Sequence, residues 1–516
     1  MNRKPEFEVA IVGYGPVGAI AACWLGQAGV KTLVIEKSRA IWEIPRAVAL
    51  DHEILRVFQN LGVIDRVLPY TAPFGASEHF GASGQLIRRI DVVPPPHPLG
   101  YLPNMVFTQP PVEAILRERA QAHGSVTVNL GWDLIAISQE DENVALSIQD
   151  EAGNVETCTA AYVIGCDGAS STVRQLLGLE LEDLDFDEPW LVVDLVINDA
   201  ALNKLPIECA QFCDPTRPYT FIIGPGNHRR WEIMLSPGED PRVMEKEESV
   251  WRLLSRWVEP SDGKLWRASS YRFHALVART WCKGNVFLAG DAAHQQPPFI
   301  GQGMCQGVRD VTNLSWKLIF VLRGKSRNAL LDTYGEERKQ HVTTLTGRIK
   351  EIGAAICERN PEAARLRDEG LIAHGGGKAL VVTRQEIVPP LETGLISLES
   401  GPAAGTIFPQ PRIATQSGTV LMDEIAAPGW KVALDGRGVS DRSVLRHLKM
   451  PWLEVGGDGY REMDGVVAAW FDLYNCKGAV VRPDHYVYRV VSEFEAVEEI
   501  CNSLQNKLGF GTCEES

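Results

Sequence analysis

The feature that most constrains this chain is the stretch EVAIVGYGPVGAIAACWLGQAGVKTLVIEK, residues 8–37. A short apolar segment, residues 9–12, is followed by three glycines in the spacing G-x-G-x-x-G. An apolar stretch then reaches Gly29, and a second apolar run ends at Glu36. This order is typical of a strand, a tight turn, a helix and a second strand. The sequence therefore predicts an α/β fold that begins with a Rossmann-type unit.

The three glycines have separate physical roles in such a unit. Gly13 permits the tight turn, Gly15 leaves bare backbone for a diphosphate, and Gly18 lets the helix pack closely on the strand. The helix N-terminus directs unpaired N–H groups and a positive dipole end toward phosphates. Glu36 is positioned to accept hydrogen bonds from the hydroxyls of an adenosine ribose, and its charge repels a 2′-phosphate. We therefore expect a dinucleotide such as FAD or NAD, rather than NADP.

Two later segments each place an acid–glycine pair directly after a predicted strand. AYVIGCDGASSTVRQLLG contains Asp167 and Gly168, and NVFLAGDAAHQQPP contains Gly290 and Asp291. A helix is predicted after the second pair, because apolar residues recur at three- and four-residue spacing over 308–322 before an Arg-Gly end. Each pair alone is a common loop, but together with the first unit they form a set.

With this set, the sequence resembles the single-component FAD-dependent aromatic-ring monooxygenases typified by 4-hydroxybenzoate hydroxylase. Four further stretches resemble the 3-(3-hydroxyphenyl)propionate hydroxylase branch: CDPTRPY, YRFHALVARTW, NLSWKL and LLDTYGEER. The resemblance covers nearly the whole chain. It implies an α/β fold with a Rossmann-type FAD-binding domain, an inserted antiparallel sheet that walls the substrate pocket, and a C-terminal thioredoxin-like domain.

The resemblance also implies roles for individual residues. Asp291 corresponds to the aspartate that binds the ribityl chain, Arg46 to an arginine near the diphosphate, and Gln109 to a glutamine beside both. The pair Asp167 and Gly168 supports the cofactor loop and is linked to pyridine-nucleotide use. The complete set of predicted FAD contacts is Gly13, Gly15, Pro16, Val17, Gly18, Glu36, Lys37, Arg46, Gln109, Asp167, Gly290, Asp291, Pro298, Gly301, Gly303 and Met304.

FAD is long, so the first unit can hold only its adenosine end and diphosphate. The segment GDAAHQQPPFIGQGM is positioned to hold the ribityl and flavin end. The helix N-terminus at 301–304 can direct N–H groups at the N1/O2 edge of the flavin, where the reduced form is anionic. Relatives often carry Asn at the position of Cys305, so this chain departs from the family at the flavin edge.

The pattern divides the chain into an FAD-binding domain, a β-sheet substrate domain, a helical linker and the thioredoxin-like domain. In the substrate domain, YTFIIG and RRWEIML alternate across the turn PGNH. The thioredoxin-like domain has no CxxC motif, so a packing role is expected there. The predicted bounds are 1–77, 105–182 and 285–350 for FAD, 78–104 and 183–284 for substrate, 351–400 for the linker, and 401–516 for the last domain.

The resemblance implies that NADH or NADPH binds transiently and reduces FAD, and that O2 is carried as a flavin C4a-hydroperoxide to a phenolic ring. A phenol reacts better as phenolate, so a His or Tyr that accepts its proton is expected, and an Arg would pair with a substrate carboxylate. No metal is expected, because the histidines show no ligand spacing. The candidates for substrate activation or orientation are His52, Tyr219, Tyr271, His274, His294 and Arg217.

Three alternatives stay open from the sequence. A flavin epoxidase or Baeyer–Villiger oxygenase acting on a polyketide or polycyclic compound would share these motifs. A flavin-dependent dehydrogenase without oxygen transfer would also share them, as would a non-enzymatic flavin-binding module.

Charge and cysteine usage limit the partners. The formal charge of −15 disfavours nucleic acid and anionic membrane surfaces. No run of eighteen apolar residues occurs, so no membrane span is expected. The 11 cysteines follow no disulfide pattern, which suits a reducing compartment and predicts a cytoplasmic protein. The partners expected are a small aromatic substrate and O2, and the oligomeric state is open, with a homodimer compatible.

Overall fold

The computed structural model of the protein describes residues 4–140, 143–438, 442, 445 and 448–509. The described strands are β1 (Phe7–Val12), β2 (Thr32–Glu36), β3 (Ala49–Asp51), β4 (Thr71–Pro73), β5 (Ser77–Phe80), β6 (Leu86–Asp91), β7 (Asn104–Phe107), β8 (Val126–Leu130), β9 (Trp132–Glu140), β10 (Asn143–Asp150), β11 (Val155–Gly165), β12 (Leu181–Ile197), β13 (Cys209–Phe212), β14 (Tyr219–Ile223), β15 (His228–Met234), β16 (Gly263–Ala278), β17 (Cys282–Lys283), β18 (Val286–Leu288), β19 (His294–Gln295), β20 (Leu380–Thr383), β21 (Arg412–Thr415), β22 (Gly418–Leu421), β23 (Lys431–Asp435), β24 (Trp452–Val455), β25 (Gly478–Val481) and β26 (Val487–Val491).

The described α-helices are α1 (Pro16–Gln27), α2 (His52–Asn60), α3 (Ile64–Val67), α4 (Gln109–Gln121), α5 (Thr172–Leu176), α6 (Pro241–Met244), α7 (Glu247–Leu254), α8 (Gly303–Leu322), α9 (Ala329–Cys357), α10 (Pro361–His374), α11 (Arg384–Ile387), α12 (Met422–Ile425), α13 (Val466–Tyr474) and α14 (Val497–Leu508). None of them combines the length and the apolar composition that crossing a bilayer would need.

The first sheet has a parallel centre in the order β18-β11-β1-β2-β8. Its apolar strands are buried, and α1 packs against α4 and α8 beside them. Because parallel strands point the same way, their carboxyl ends share one edge. The loops that begin at Gly13, Lys37, Cys166 and Ala289 therefore leave the sheet together, and this edge positions the site.

The second sheet has the order β19-β16-β12-β15-β14-β13-β5-β6-β20. Alternation along β15 puts Trp231 and Ile233 in an outer apolar layer with Val250 and Leu254 of α7. The intervening residues of β15 therefore face inward, toward the first sheet. α9 packs against the inner side through apolar residues that include Ile349 and contact Trp190.

Two short segments connect this sheet to regions that the sequence places elsewhere. β19 follows β18 within a few residues, so one loop joins the two sheets. β20 lies in the segment 351–400, for which the sequence predicts helix and loops, and it pairs in parallel with β6 at the sheet edge. The sequence LVVT of β20 suits a strand, but its partner lies far away in the chain and leaves no local signal.

The C-terminal part has the sheet order β24-β23-β25-β26, in which β23 and β24 are parallel and the other pairs are antiparallel. α13 packs in one apolar layer and α14 in another. The order and directions are those of a thioredoxin-like sheet, as predicted. The α14 layer includes Trp316 of α8 and Leu330 of α9, so this domain packs directly on the helices behind the site.

Candidate functional site

A cavity of about 870 Å³ lies between the carboxyl edge of the first sheet and the inner face of the second. Its size is within the usual range for small-molecule and cofactor sites. Both predicted cofactor segments line it, although they are far apart in the chain. The predicted cofactor residues in its wall are Gly13, Gly15, Pro16, Val17, Glu36, Lys37, Arg46, Gln109, Asp167, Asp291, Pro298, Gly301, Gly303 and Met304, whereas Gly18 and Gly290 lie behind it.

The glycines of the first turn lie where larger residues would either clash or enter the cavity. A Cβ atom on Gly13 would lie 2.4 Å from the carbonyl oxygen of Cys166, and one on Gly18 would lie 2.0 Å from that of Gly13. Gly13 also has a φ of +97°, which favours glycine. A Cβ on Gly15 would meet nothing within 4 Å, because Gly15 faces the open cavity. The backbone there is bare to a ligand.

The Glu36 carboxylate is fixed at the end of β2. The Tyr14 N–H donates to its Oε2 and the Ser38 N–H donates to its Oε1, both at 2.7 Å. A carboxylate oxygen has further lone pairs, so Glu36 can still accept hydrogen bonds from a ligand. Its position beside the first turn fits a ribose.

Gln109 organises the loop that carries Arg46. Its Oε1 accepts the N–H groups of Arg46 and Ala47 at 3.0 and 2.9 Å. From the second sheet, the Arg230 guanidinium donates to the carbonyl oxygens of Pro45 and Arg46 at 2.9 and 3.0 Å. The loop is therefore held both by α4 and by the second sheet.

Asp167 caps α5. Its carboxylate accepts the Ser171 hydroxyl at 2.6 Å and the Val173 N–H at 2.9 Å. Burial raises the pKa of Asp167, and these hydrogen bonds oppose the rise. The residue thus shapes the loop in the cavity wall that Gly168 continues.

Asp291 faces the cavity from the loop between the two sheets, and burial raises the pKa of its carboxyl. Asp310 of α8 lies behind this loop. Its Oδ2 accepts the Gly290 N–H at 2.9 Å and lies 2.8 Å from His294 Nε2. Its Oδ1 accepts Arg338 Nε at 2.9 Å. Sequence reasoning did not identify Asp310, which is fully buried in α8.

α8 begins at the cavity wall, which Gly303 and Met304 line. Its N-cap residue Gln302 is held by Asp51 and by Arg309, at 3.1 and 2.9 Å. Although burial raises it, the pKa of Asp51 is lowered to about 2 by the Arg309 guanidinium. The first turn of a long helix is therefore fixed with its N–H groups toward the cavity.

Cys305, the departure from the family, does not line the cavity. Its thiol is buried beside the carbonyl oxygens of Ala49 and Gly301, at 3.9 Å from each. Burial raises the pKa of this thiol well above its usual range.

The second sheet covers the cavity with a polar row. Arg230, Glu232 and Thr220 face inward from β15 and β14. Asp194 of β12 lies 2.7 Å from Arg230 Nε and 2.8 Å from Arg267 Nε. Although burial raises it, the pKa of Asp194 is held below its usual range by Arg230. Both arginines are thus already paired.

Glu232 is the carboxyl in this row without a close cation. Its nearest cation in the described chain, Arg230, lies 3.9 Å away. Burial raises the pKa of Glu232 to about 7, and Arg230 opposes the rise. Sequence reasoning did not single it out, although the alternation of RRWEIML puts it on the face opposite Trp231.

Of the residues predicted to activate or orient the substrate, Tyr271, His274 and His294 line the cavity. Tyr271 is 40% exposed, and His274 Nδ1 lies 3.3 Å from the Asp187 carboxylate, so both are at the rim. His294 is buried and stacks on Trp281.

The other three candidates lie outside the cavity wall. Arg217 is paired with Glu239 through two hydrogen bonds of 2.8 and 3.0 Å. Tyr219 stacks on Phe212 in the outer apolar layer, and burial raises its pKa to about 12. His52 is buried in α2, where burial lowers its pKa to about 4. Arg217 and Tyr219 therefore have structural partners outside the cavity wall.

Comparison with known proteins places the chain in a family. A family model described as FAD binding domain matches residues 6–348, and one described as HcaD C-terminal domain matches residues 405–507. A probable NADH-specific resorcinol 4-hydroxylase of Rhodococcus jostii (strain RHA1) is 35% identical, over 97% of this chain and 95% of that protein. A 3-(3-hydroxy-phenyl)propionate/3-hydroxycinnamic acid hydroxylase of Burkholderia cenocepacia (strain HI2424) is 32% identical, over 94% of each.

Solved structures share the fold. The flavin-dependent monooxygenase PieE, in complex with FAD and substrate, superposes with a TM-score of 0.82 at 21% identity, covering 98% of this chain and 100% of that one. Aklavinone-11 hydroxylase, in a ternary complex with FAD and aklavinone, superposes with a TM-score of 0.81 at 21% identity over the same shares. With the cavity between the two sheets and full-length relatives above 30% identity, the chain belongs to the single-component FAD-dependent aromatic hydroxylases.

Proposed function

We propose that this enzyme hydroxylates a phenolic ring of the 3-(3-hydroxyphenyl)propionate type, with FAD as cofactor, NADH as reductant and O2 as oxidant. The observation that carries the proposal is the single cavity lined by the first glycine turn, by the 291–304 segment and by the polar row of the second sheet. The names of the two relatives support a phenolic substrate, and one of them supports NADH over NADPH.

The residues of the cavity fit FAD. Gly15 offers bare backbone to the diphosphate, Glu36 offers a carboxylate to the ribose, and Asp291 offers one to the ribityl hydroxyls. The first turn of α8 directs N–H groups toward the flavin end. Reduced FAD, when bound, supplies the reaction with O2 that delivers one oxygen atom to the ring.

The chain positions this cofactor through buried contacts. Asp310 holds the Gly290 N–H and His294, so the loop that carries Asp291 has a fixed shape. Arg230 links the second sheet to the loop that carries Arg46. These contacts set the distance between the cofactor and the sheet under which the substrate ring would lie.

Glu232 is the side chain that we propose accepts the phenolic proton. It faces the cavity, and its pKa of about 7 suits a proton acceptor near neutral pH. A phenolate is a better nucleophile than a phenol, so removal of this proton accelerates attack on oxygen. Of the candidates predicted from the sequence, Tyr271, His274 and His294 also line the cavity, and His294 is held by Asp310.

The test is oxygen transfer by the purified holoenzyme. We expect a yellow protein whose NADH consumption is stimulated by 3-(3-hydroxyphenyl)propionate, with one atom from 18O2 in the hydroxylated product. Flavin-free protein that binds no FAD would end the proposal, and stimulated NADH oxidation without labelled product would favour a dehydrogenase or oxidase.

A cytoplasmic location suits the ten described cysteines, which are all unpaired.

A further inference from the structure

Arg384 enters the cavity wall from a part of the chain that the sequence predicts to be a linker. It is the first residue of α11, directly after β20, and only 3% of its surface is exposed. Because β20 pairs with β6 at the edge of the second sheet, the backbone of Arg384 is fixed relative to that sheet. Its guanidinium lies 4.7 Å from the centre of the Phe74 ring, which also lines the cavity.

This arginine has no carboxylate partner in the described part of the chain. Its buried Nε and Nη1 atoms have no hydrogen-bond acceptor there. The other buried arginines of the cavity wall, Arg230 and Arg267, are both paired with Asp194. The carboxylate whose charge acts on Arg384, that of Asp51, is paired with Arg309 at 2.6 Å.

An unpaired buried guanidinium is costly to keep without a ligand. Arginine stays protonated in proteins, and a buried charge without a counter-ion destabilises the fold. Burial lowers the pKa of Arg384, consistent with this cost. The guanidinium lies over an aromatic ring in the wall of the cavity, and a guanidinium pairs well with a carboxylate.

We propose that Arg384 binds the carboxylate on the side chain of the aromatic substrate and so positions the ring beneath the second sheet. The inference rests on the proposed function and deepens it, because it selects phenols with a short acidic arm over neutral phenols such as resorcinol. It also transfers the anion-binding role that the sequence suggested for Arg217 to a different element, since Arg217 is paired with Glu239.

The experiment compares ligands on the FAD-bound enzyme. 3-(3-Hydroxyphenyl)propionate and its primary amide are titrated, and binding is followed by the change in flavin absorbance. We expect the wild type to bind the acid roughly 30-fold or more tightly than the amide, the ratio expected for loss of a charge-assisted pair. Arg384→Met should abolish most of that preference, and Arg384→Lys should retain part of it because the charge remains but the fork is lost.

Arg217→Met is the matched control, and its acid-to-amide ratio should stay within roughly threefold of the wild type. A wild type without acid preference overturns the inference even if no Arg384 variant folds, as does a preference that survives Arg384→Met or that Arg217→Met removes. Product formation is scored separately. An Arg384-dependent acid preference without hydroxylated product supports the anion site and contradicts the proposed function, whereas hydroxylation of neutral phenols without acid preference overturns the anion site alone.

Discussion

The Tyr486 hydroxyl, in the C-terminal domain, donates a hydrogen bond of 3.0 Å to the Glu53 carboxylate of α2. Glu53 also accepts Arg309 Nε at 2.6 Å, and Arg309 in turn donates to Gln302 at the N-cap of α8. A domain without a CxxC motif thus reaches the start of α8, which lines the cavity. The C-terminal domain is therefore connected to the cavity wall through Glu53 and Arg309.

Tyr486→Phe should therefore weaken both the fold and FAD binding. Loss of a buried donor to a carboxylate costs about 1–3 kcal/mol, and the freed Glu53 alters the pairing of Arg309. Denaturant unfolding and FAD titration of the apoprotein measure the two effects. Tyr488→Phe, two residues further along in β26, is the control, and equal losses in both variants would contradict the route through Glu53.

Asp291→Ala should release FAD. The carboxylate faces the cavity and has no hydrogen bond within the described chain, so a ligand hydroxyl is its expected partner. Loss of a hydrogen bond to a charged group predicts a dissociation constant for FAD that rises roughly 10- to 100-fold. Fluorescence titration of FAD measures it, with exposed Asp65→Ala as the control. Unchanged FAD affinity would remove Asp291 from the site.

Two glycine substitutions should separate stability from binding. Gly18→Ala puts a Cβ 2.0 Å from the Gly13 carbonyl oxygen, so we expect loss of stable apoprotein. Gly15→Ala meets no atom within 4 Å and has an ordinary φ of −66°, so the apoprotein should keep its unfolding transition. The added methyl instead occupies diphosphate space. The explanation fails if Gly15→Ala binds FAD as the wild type does.

The pKa of Glu232, raised by burial from its usual value to about 7, predicts a pH-dependent stability. Between about pH 4.5 and 7, Glu232 is deprotonated in the unfolded chain and still protonated in the folded chain. The contribution of Glu232 to the free energy of unfolding is therefore largest below this window and falls as the pH rises through it. The slope approaches about 1.4 kcal/mol per pH unit. Urea unfolding of the apoprotein across this window measures it. Glu232→Gln should lack this component, and identical slopes in both proteins would contradict the shifted pKa.

Local patterns in the sequence predicted the parts of the site that local geometry builds. The G-x-G-x-x-G spacing predicted the turn at Gly13, and the three- and four-residue spacing after 303 predicted α8, which ends before Gly324. The alternation in YTFII could also have excluded Tyr219 from the cavity. Tyr219 lies opposite Ile233 of β15, and both belong to the outer apolar layer.

Long-range contacts determined the rest. Arg384 reaches the cavity only because β20 pairs with β6, which lies about 290 residues earlier, and no local pattern encodes that pairing. Arg217 was a reasonable choice by residue type, but its partner Glu239 becomes visible only in three dimensions. The same holds for Asp310, whose partners lie on a loop and on a second helix.

Residues 289–293, between β18 and β19, form one of the connections between the two sheets, and Asp291 is in the middle of it. A displacement of one sheet relative to the other changes this span as well as the connections at 166–180 and 279–281. Because Asp291 lines the cavity from this span, we expect a mutation that stiffens it to alter ligand access and cofactor retention together.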